Sequence, residues 1–250
     1  MAIAWVTGAG AGIGRAVSLE LVKRGWTVAV SSRTESHLDS LADEAAKLGG
    51  LILPFALDVT KPEQVQKTVE DIEENIGPIE LSILNAGTYL RCDVSDLSAE
   101  VFHNQMDLNF MGTINCLLPT LKYMRARSTG HIAVVSSLTA YRGIPFASAY
   151  GASKAALTNM CESLKPELGR IGIDLTIIHP GFVKTPLTDK NEFFMPFLIE
   201  VGDAARFIVN GIERRKFEIA FPRRFAFLLK LARFLPYSLY FSITRRLIKD

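Results

Sequence analysis

Ile3-Ala4-Trp5-Val6-Thr7-Gly8-Ala9-Gly10-Ala11-Gly12-Ile13-Gly14 decides the fold. Ile3 to Val6 is an apolar run of strand length, and the glycines at 8, 10, 12 and 14 follow it directly. Val17, Leu21 and Val22 then recur at helical spacing up to Gly25, a natural C-terminal cap. Trp26-Thr27-Val28-Ala29-Val30 reads as the next strand. Strand, glycine-rich turn and helix in this order make a phosphate-binding unit. Glycines let the backbone approach a pyrophosphate, and the helix start offers unpaired N–H groups. The strict G-x-G-x-x-G spacing is absent; the pattern is the looser T-G-x-x-x-G-x-G. A glycine cluster alone also suits a plain tight turn. Its position between a strand and a helix is what points to a nucleotide.

The alternation continues outward from this unit. Leu51 to Leu57 precedes Asp58-Val59, and residues 62–75 form an amphipathic helix with Pro62 in its first turn. Leu81 to Leu84 leads into Asn85-Ala86-Gly87. A long helix is predicted from about Ala99 to Met124, with Asn109 inside it. His131 to Val135, the helix carrying Tyr150, and Asp174 to Ile178 complete the series. Repeated units of this kind predict an α/β fold, a doubly wound parallel sheet of Rossmann type with helices on both faces. Ligands bind such sheets beyond the carboxyl ends of the strands.

Composition narrows the class. The 250 residues, 48% apolar, show no linker, repeat or low-complexity tract, so one domain is expected over 1–222, with a C-terminal helical extension over 223–250. Lys and Arg number 28 against 26 Asp and Glu, a balance that points to no nucleic-acid partner. Cys92, Cys116 and Cys161 are odd in number and widely spaced, which suits neither a disulfide framework nor a metal site. With no signal-type N-terminus and no membrane-spanning apolar run, a cytoplasmic location is expected.

The end of the second strand bears on cofactor choice. An NAD site usually has Asp or Glu there, bonding the ribose 2′-hydroxyl. This chain has Ser31-Ser32-Arg33. Arg33 suits a 2′-phosphate, with Ser32 as an added donor, and so predicts NADP(H). The competing reading is a solvated arginine at the start of a loop, with Glu35 close by.

Tyr150 and Lys154 are four residues apart and share a helix face. A phenol with a pKa near 10 is a poor base at neutral pH, and an ammonium within about 4–6 Å lowers that value. Ser137, at a strand end, can bond a carbonyl oxygen at the same point. Together they make a proton-transfer site for an alcohol or ketone. By themselves, a Tyr and a Lys at this spacing are more often a half-buried ring and a solvated amine.

These motifs, in this order and at these spacings, resemble the short-chain dehydrogenase/reductase family in its single-domain branch. The resemblance runs from about Ile3 to Phe221 and includes the Thr7–Gly14 turn, Asp58, Asn85-Ala86-Gly87, Asn109, Ser137, Tyr150-x-x-x-Lys154 and Pro180-Gly181. It implies that Tyr150 is the general acid/base, and that Lys154 tunes it and holds the nicotinamide ribose. It implies that Ser137 binds the substrate oxygen and Asn109 anchors a water linked to Lys154. Gly8, Gly10, Gly12, Ile13 and Gly14 would cradle the pyrophosphate, and Asp58 and Val59 would contact adenine. Asn85, Ala86 and Gly87 would border the cofactor; Pro180, Gly181, Val183 and Thr185 would flank the nicotinamide. The implied activity is an NADP(H)-linked interconversion of a carbonyl and a secondary alcohol. A non-catalytic redox sensor or scaffold is the competing class. The family also implies a homodimer or homotetramer, pairing helices such as the one bearing Cys116, Leu117 and Leu118.

Tyr89, Tyr141, Phe146 and Phe194 are candidate substrate contacts, with a lid near 186–200. Their character predicts a lipophilic carbonyl, such as a fatty-acyl, steroid or retinoid compound, with a 3-oxoacyl thioester as the alternative. Pro166 is expected to end the Tyr150 helix early. Beyond Pro222, bulky apolar residues alternate with Arg223, Arg224, Lys230 and Arg233, and Arg245, Arg246 and Lys249 extend the bias. Such a segment predicts peripheral contact with an anionic membrane, or else packing over the substrate cleft or on a partner subunit.

Overall fold

Ile3–Thr7 is buried along its whole length, and Thr27–Ser32 nearly so. Strands without a polar face must be covered on both sides. The computed structural model of the chain, which describes residues 2–189 and 195–248, has that layered form. Strands β1 (Ile3–Thr7), β2 (Thr27–Ser32), β3 (Ile52–Ala56), β4 (Ile79–Leu84), β5 (Gly130–Val135), β6 (Ile173–Pro180) and β7 (Glu218–Phe221) build one sheet. Its order is β3-β2-β1-β4-β5-β6-β7, and every neighbouring pair is parallel. Pro54 sits in β3, an edge strand, where a missing N–H is tolerated.

Alternate strand residues point to opposite faces. Val6, Val30, Ile83 and Val135 pack with α1 (Gly12–Lys23), α2 (Glu35–Lys47) and α7 (Val201–Glu213). Trp5, Ala29, Leu84 and Val134 pack with α3 (Pro62–Asn75), α5 (Gly112–Arg127) and α6 (Ser148–Arg170). The strand order reverses between β1 and β4, and a crevice opens at such a switch point. The glycine turn after β1 and Asn85 after β4 both lie there.

Three expectations change. The long helix is α4 (Ala99–Met106) joined to α5 through a π-helical turn, Asp107–Met111. A π turn shifts the side chains that follow it, and Asn109, within the turn, is fully buried. Helix α6 does not stop at Pro166; it continues to Arg170. Pro166 and Glu162, whose carbonyl loses its partner, are both exposed, so water can satisfy that carbonyl, while Leu168 is buried and holds the last turn down. Of the residues expected to bury a subunit face on α5, Cys116 and Leu117 pack into the chain's own core, and Leu118 alone is exposed, at 60%.

The extension forms α8 (Arg223–Ala232) and α9 (Tyr237–Thr244), with Pro236 at the break. Helix α8 lays Phe225, Ala226 and Leu229 against Leu138, Tyr141 and Ala220. Arg142 donates to the carbonyls of Ala232 and Leu235, the latter at 2.9 Å, and its guanidinium lies 4.0 Å from the centre of the Tyr240 ring. The Tyr240 hydroxyl donates to the Gly143 carbonyl. The tail is therefore fastened to the loop that follows Ser137. Among the described residues no helix is long and apolar enough to cross a membrane.

Candidate active site

A cleft of about 1040 Å³ runs across the carboxyl ends of the strands. Its floor begins with the glycine turn. Gly8 has φ +66°, and a Cβ there would stand 2.8 Å from the Ala86 Cα. Helix α1 starts without a side-chain cap and without an acidic residue in its first turn. Its first N–H groups are left for an anion. The turn and the bare helix start thus fit the pyrophosphate of a dinucleotide. Asn85 fixes the two sides of the crevice: its Nδ2 donates to the carbonyls of Thr7 and Gly8 at 3.0 and 3.2 Å, while Thr7 Oγ1 accepts the N–H groups of Asn85 and Ala86.

Ser32, Arg33, Asp58 and Val59 line one end of the cleft. Partial burial pushes the Asp58 carboxyl up, but hydrogen bonds from the Thr60 N–H and hydroxyl, helped by the charge of Arg33, outweigh it and hold it below the ordinary value. Ser32 Oγ donates to the Thr34 carbonyl at 3.2 Å.

At the cleft centre, Ser137 and Tyr150 meet, with the Ser137 hydroxyl on the side of the phenol. Burial raises the Tyr150 pKa, the Ser137 hydroxyl works against this, and Tyr89, edge-on at 5.1 Å between ring centres, adds to the rise. Lys154 shares the helix face of Tyr150. Its Nζ stands 5.8 Å from the Tyr150 ring centre and donates to the Val135 carbonyl at 2.9 Å. Burial pushes its ammonium down to about 8. The i,i+4 spacing brings the two side chains onto one face, and a backbone carbonyl takes one of the ammonium's donors.

Asn109 sits just behind this centre. Its Oδ1 accepts the Thr88 N–H at 2.8 Å, and its Nδ2 donates to the Thr88 carbonyl and to Ser153 Oγ, both at 3.0 Å. A Cβ at Gly87 would lie 3.0 Å from Asn109 Oδ1 and 3.4 Å from Lys154 Nζ, so only glycine leaves the space between them open.

Other predicted contacts divide. Gly10, Gly12, Ile13, Asn85, Ala86, Gly87, Pro180, Gly181, Val183 and Thr185 all border the cleft; Gly14 and Asn109 support it from behind. Tyr89 and Phe146 line it, the Phe146 ring lying 3.8 Å from the Arg91 guanidinium. Tyr141 does not. Its hydroxyl donates to Glu218 at 2.6 Å and its ring packs on His179 in a separate cavity of about 260 Å³. Phe194 lies outside the described residues, as does Lys249 of the tail.

Sequence reasoning held one wall only as an alternative, the tail packing over the substrate cleft. Phe225, Leu229 and Leu235 from α8 and its end, with Tyr240 and Ile243 from α9, close the cleft opposite the glycine turn. The signal was present: α8 is apolar on more than one face, which a helix lying on its domain with one stripe does not need. What it missed was a buried chain behind the site, in which His179 Nε2, Thr158 Oγ1 and Ser136 Oγ are linked at 3.1 Å each and Ser136 Oγ donates to the Lys154 carbonyl.

Glu218 clasps the tail through Lys230 while accepting from Tyr141. Burial pushes its carboxyl up, but the bonds from Lys230 and Tyr141 prevail and hold it below the ordinary value. A depressed folded-state value means that the clasp contributes fully above the unfolded pKa of about 4.3 and is lost as pH falls through the folded one. Amide protection in α8 is expected to drop in that acid range before protection in the sheet does. Hydrogen exchange read segment by segment checks this, and simultaneous loss in both segments contradicts it.

Comparison with known proteins agrees with this geometry. Residues 2–193 match the short chain dehydrogenase family. An uncharacterized oxidoreductase of Myxococcus xanthus is 38% identical over 98% of this chain and 96% of its own. A 3-oxoacyl-(acyl-carrier-protein) reductase of Thermotoga maritima is 32% identical over 74% of this chain and 75% of its own. In fold, a short-chain dehydrogenase/reductase from Burkholderia phymatum, solved in complex with NAD, superposes with a TM-score of 0.85 at 22% identity, covering 92% of each chain. By these matches the chain belongs to the short-chain dehydrogenase family of oxidoreductases, which bind a nicotinamide cofactor.

Proposed function

We propose that the chain is an NADP(H)-dependent oxidoreductase that interconverts a carbonyl and a secondary alcohol on a lipophilic substrate. The observation that carries this reading is Tyr150 beside Ser137 in a cleft whose outer wall is apolar. When bound, the nicotinamide supplies or takes up the hydride. Ser137 orients the substrate oxygen by donating to it, and Tyr150 gives its proton to that oxygen as charge develops there. Lys154, Asn109 and Gly87 keep the floor of the site in place. Residues 1–222 act as the catalytic domain, and 223–250 close its substrate side.

A 2′-phosphate is favoured by Arg33, which lines the cleft where an NAD site usually has a carboxylate. A 3-oxoacyl thioester fits the same class of substrate, and the Thermotoga relative lends that choice support. The reading also takes the chain as a homo-oligomer. Peripheral membrane contact through the tail suits a substrate carried in lipid.

A panel of carbonyls assayed with NADPH and NADH tests both points. Apolar ketones or acyl thioesters are expected to outrun sugars, and NADPH to outrun NADH. Arg33→Ala is expected to weaken NADPH binding by about tenfold, the loss of a charge-assisted contact, and to leave NADH binding alone. Preference for small polar sugars, or an Arg33→Ala variant indifferent to the 2′-phosphate, contradicts the proposal.

A further inference from the structure

The tail separates the chain's charge. The 222 residues before it hold 21 of the 28 basic and 25 of the 26 acidic side chains, a net charge of −4; residues 223–250 hold seven basic and one acidic, a net charge of +6. Within 223–248 there is no Asp or Glu at all. The same segment concentrates exposed apolar surface. Of the 23 large apolar side chains exposed among the described residues, ten lie between Phe227 and Ile248. Phe234 is 83% exposed, Tyr237 72% and Phe227 65%. Scattered single residues of this kind need no explanation, but a contiguous set of them does.

The inner face of α8 is already satisfied. Phe225, Ala226 and Leu229 pack on the domain, whereas Phe227, Leu231 and Phe234 recur every three to four residues on the opposite side, in solvent. This outer stripe does nothing for the fold of the chain itself. A second copy meeting it across a two-fold axis would set the same cations against each other, since a two-fold contact pairs a patch with itself. An anionic bilayer matches both features. Aromatic and aliphatic side chains enter the acyl boundary, and Arg223, Arg224 and Arg245, all exposed, meet the phosphates. Ile243 and Leu247 line the cleft and are also 47% and 58% exposed, so they stand at its mouth beside this face.

We propose that the outer face of α8 and α9 docks on an anionic phospholipid bilayer and turns the mouth of the cleft toward the lipid. A lipophilic substrate then enters between Ile243 and Leu247 without crossing water. That loading role rests on the substrate class given above; the docking itself does not.

The test is co-sedimentation of the full chain with vesicles of phosphatidylcholine alone or mixed with phosphatidylglycerol, with neither substrate nor cofactor present. Partition into the mixed vesicles, weakened by salt, is expected. The double variant Phe227→Ser/Phe234→Ser is expected to partition about tenfold less or lower, because two aromatic rings no longer enter the lipid. Its thermal midpoint and oligomeric state should match wild type, since both rings are mostly in solvent. Arg223→Gln/Arg224→Gln should lose the preference for anionic lipid. Wild type remaining in the supernatant, or a serine variant that sediments as wild type does, overturns the proposal. So does a serine variant that dissociates the oligomer while vesicle binding persists, which identifies the face as a subunit contact. Because partition is read without turnover, failure of the carbonyl assay leaves this result standing, and the reverse.

Discussion

Replacing Tyr150 by phenylalanine is expected to lower turnover by about 10²- to 10⁴-fold while cofactor titration stays unchanged. The hydroxyl is the only part removed, and the edge-on packing against Tyr89 is kept. Ser137 remains to bind the substrate oxygen but holds its proton too tightly to deliver it. Lys154 is not a substitute, because its ammonium is bonded to the Val135 carbonyl. Steady-state rates on whichever carbonyl the panel selects, together with fluorescence titration of NADPH, read the two effects separately. Undiminished turnover contradicts the assigned role. A wild-type chain that binds cofactor and turns over no carbonyl would favour a sensor or scaffold instead.

Gly14→Ala is expected to cost about 3 kcal/mol of stability and with it the cofactor site. A helix normally gains from alanine over glycine. Here the added Cβ would lie 2.4 Å from the Gly8 carbonyl oxygen and 2.6 Å from Asn85 Nδ2. The first of these is backbone. The second is the group that ties β1 to β4 by its bonds to Thr7 and Gly8, so neither yields without opening the crevice. Gly169→Ala in α6, where a Cβ meets nothing within 4 Å, is the control and is expected to be neutral or slightly stabilising. Thermal melts of both variants, each with and without NADPH, check the claim. Equal melting of the two contradicts it, for packing would then not distinguish the sites.

The fold was legible because its signals are local. Strands buried on both faces show as unbroken apolar runs, and Ile3–Thr7 and Thr27–Ser32 are buried as their composition requires. The glycine turn lies within one strand–helix unit, so adjacency in sequence is adjacency in space. The Tyr150–Lys154 face follows from one turn of helix. Phe146 and Tyr89 reach the cleft because both lie on segments that leave strand ends.

What escaped the sequence depended on partners far along the chain. Tyr141 lies four residues beyond Ser137, yet Glu218, 77 residues on, takes its hydroxyl and turns the ring out of the cleft. No spacing near Tyr141 announces a carboxylate on β7. Pro166 reads as a helix end, but its cost depends on whether the freed carbonyl can meet water and whether the next turn is held, and both are settled by surroundings. The π turn at Asn109 is likewise a tertiary outcome, fixed by the Thr88 backbone and Ser153 that its amide meets.

The sequence by itself determined the sheet, the phosphate turn, and the types of group that gather at the strand ends, because each is written within a few consecutive residues. Only the tertiary structure decided where the tail goes. Its apolar faces could equally have met a subunit, a bilayer or the domain. Arg142 decided between them for the inner face, holding the carbonyls of Ala232 and Leu235, 90 and 93 residues away, and stacking on Tyr240. A helix shows in its sequence which stripes are apolar; which surface covers each stripe depends on what the rest of the chain leaves exposed beside it.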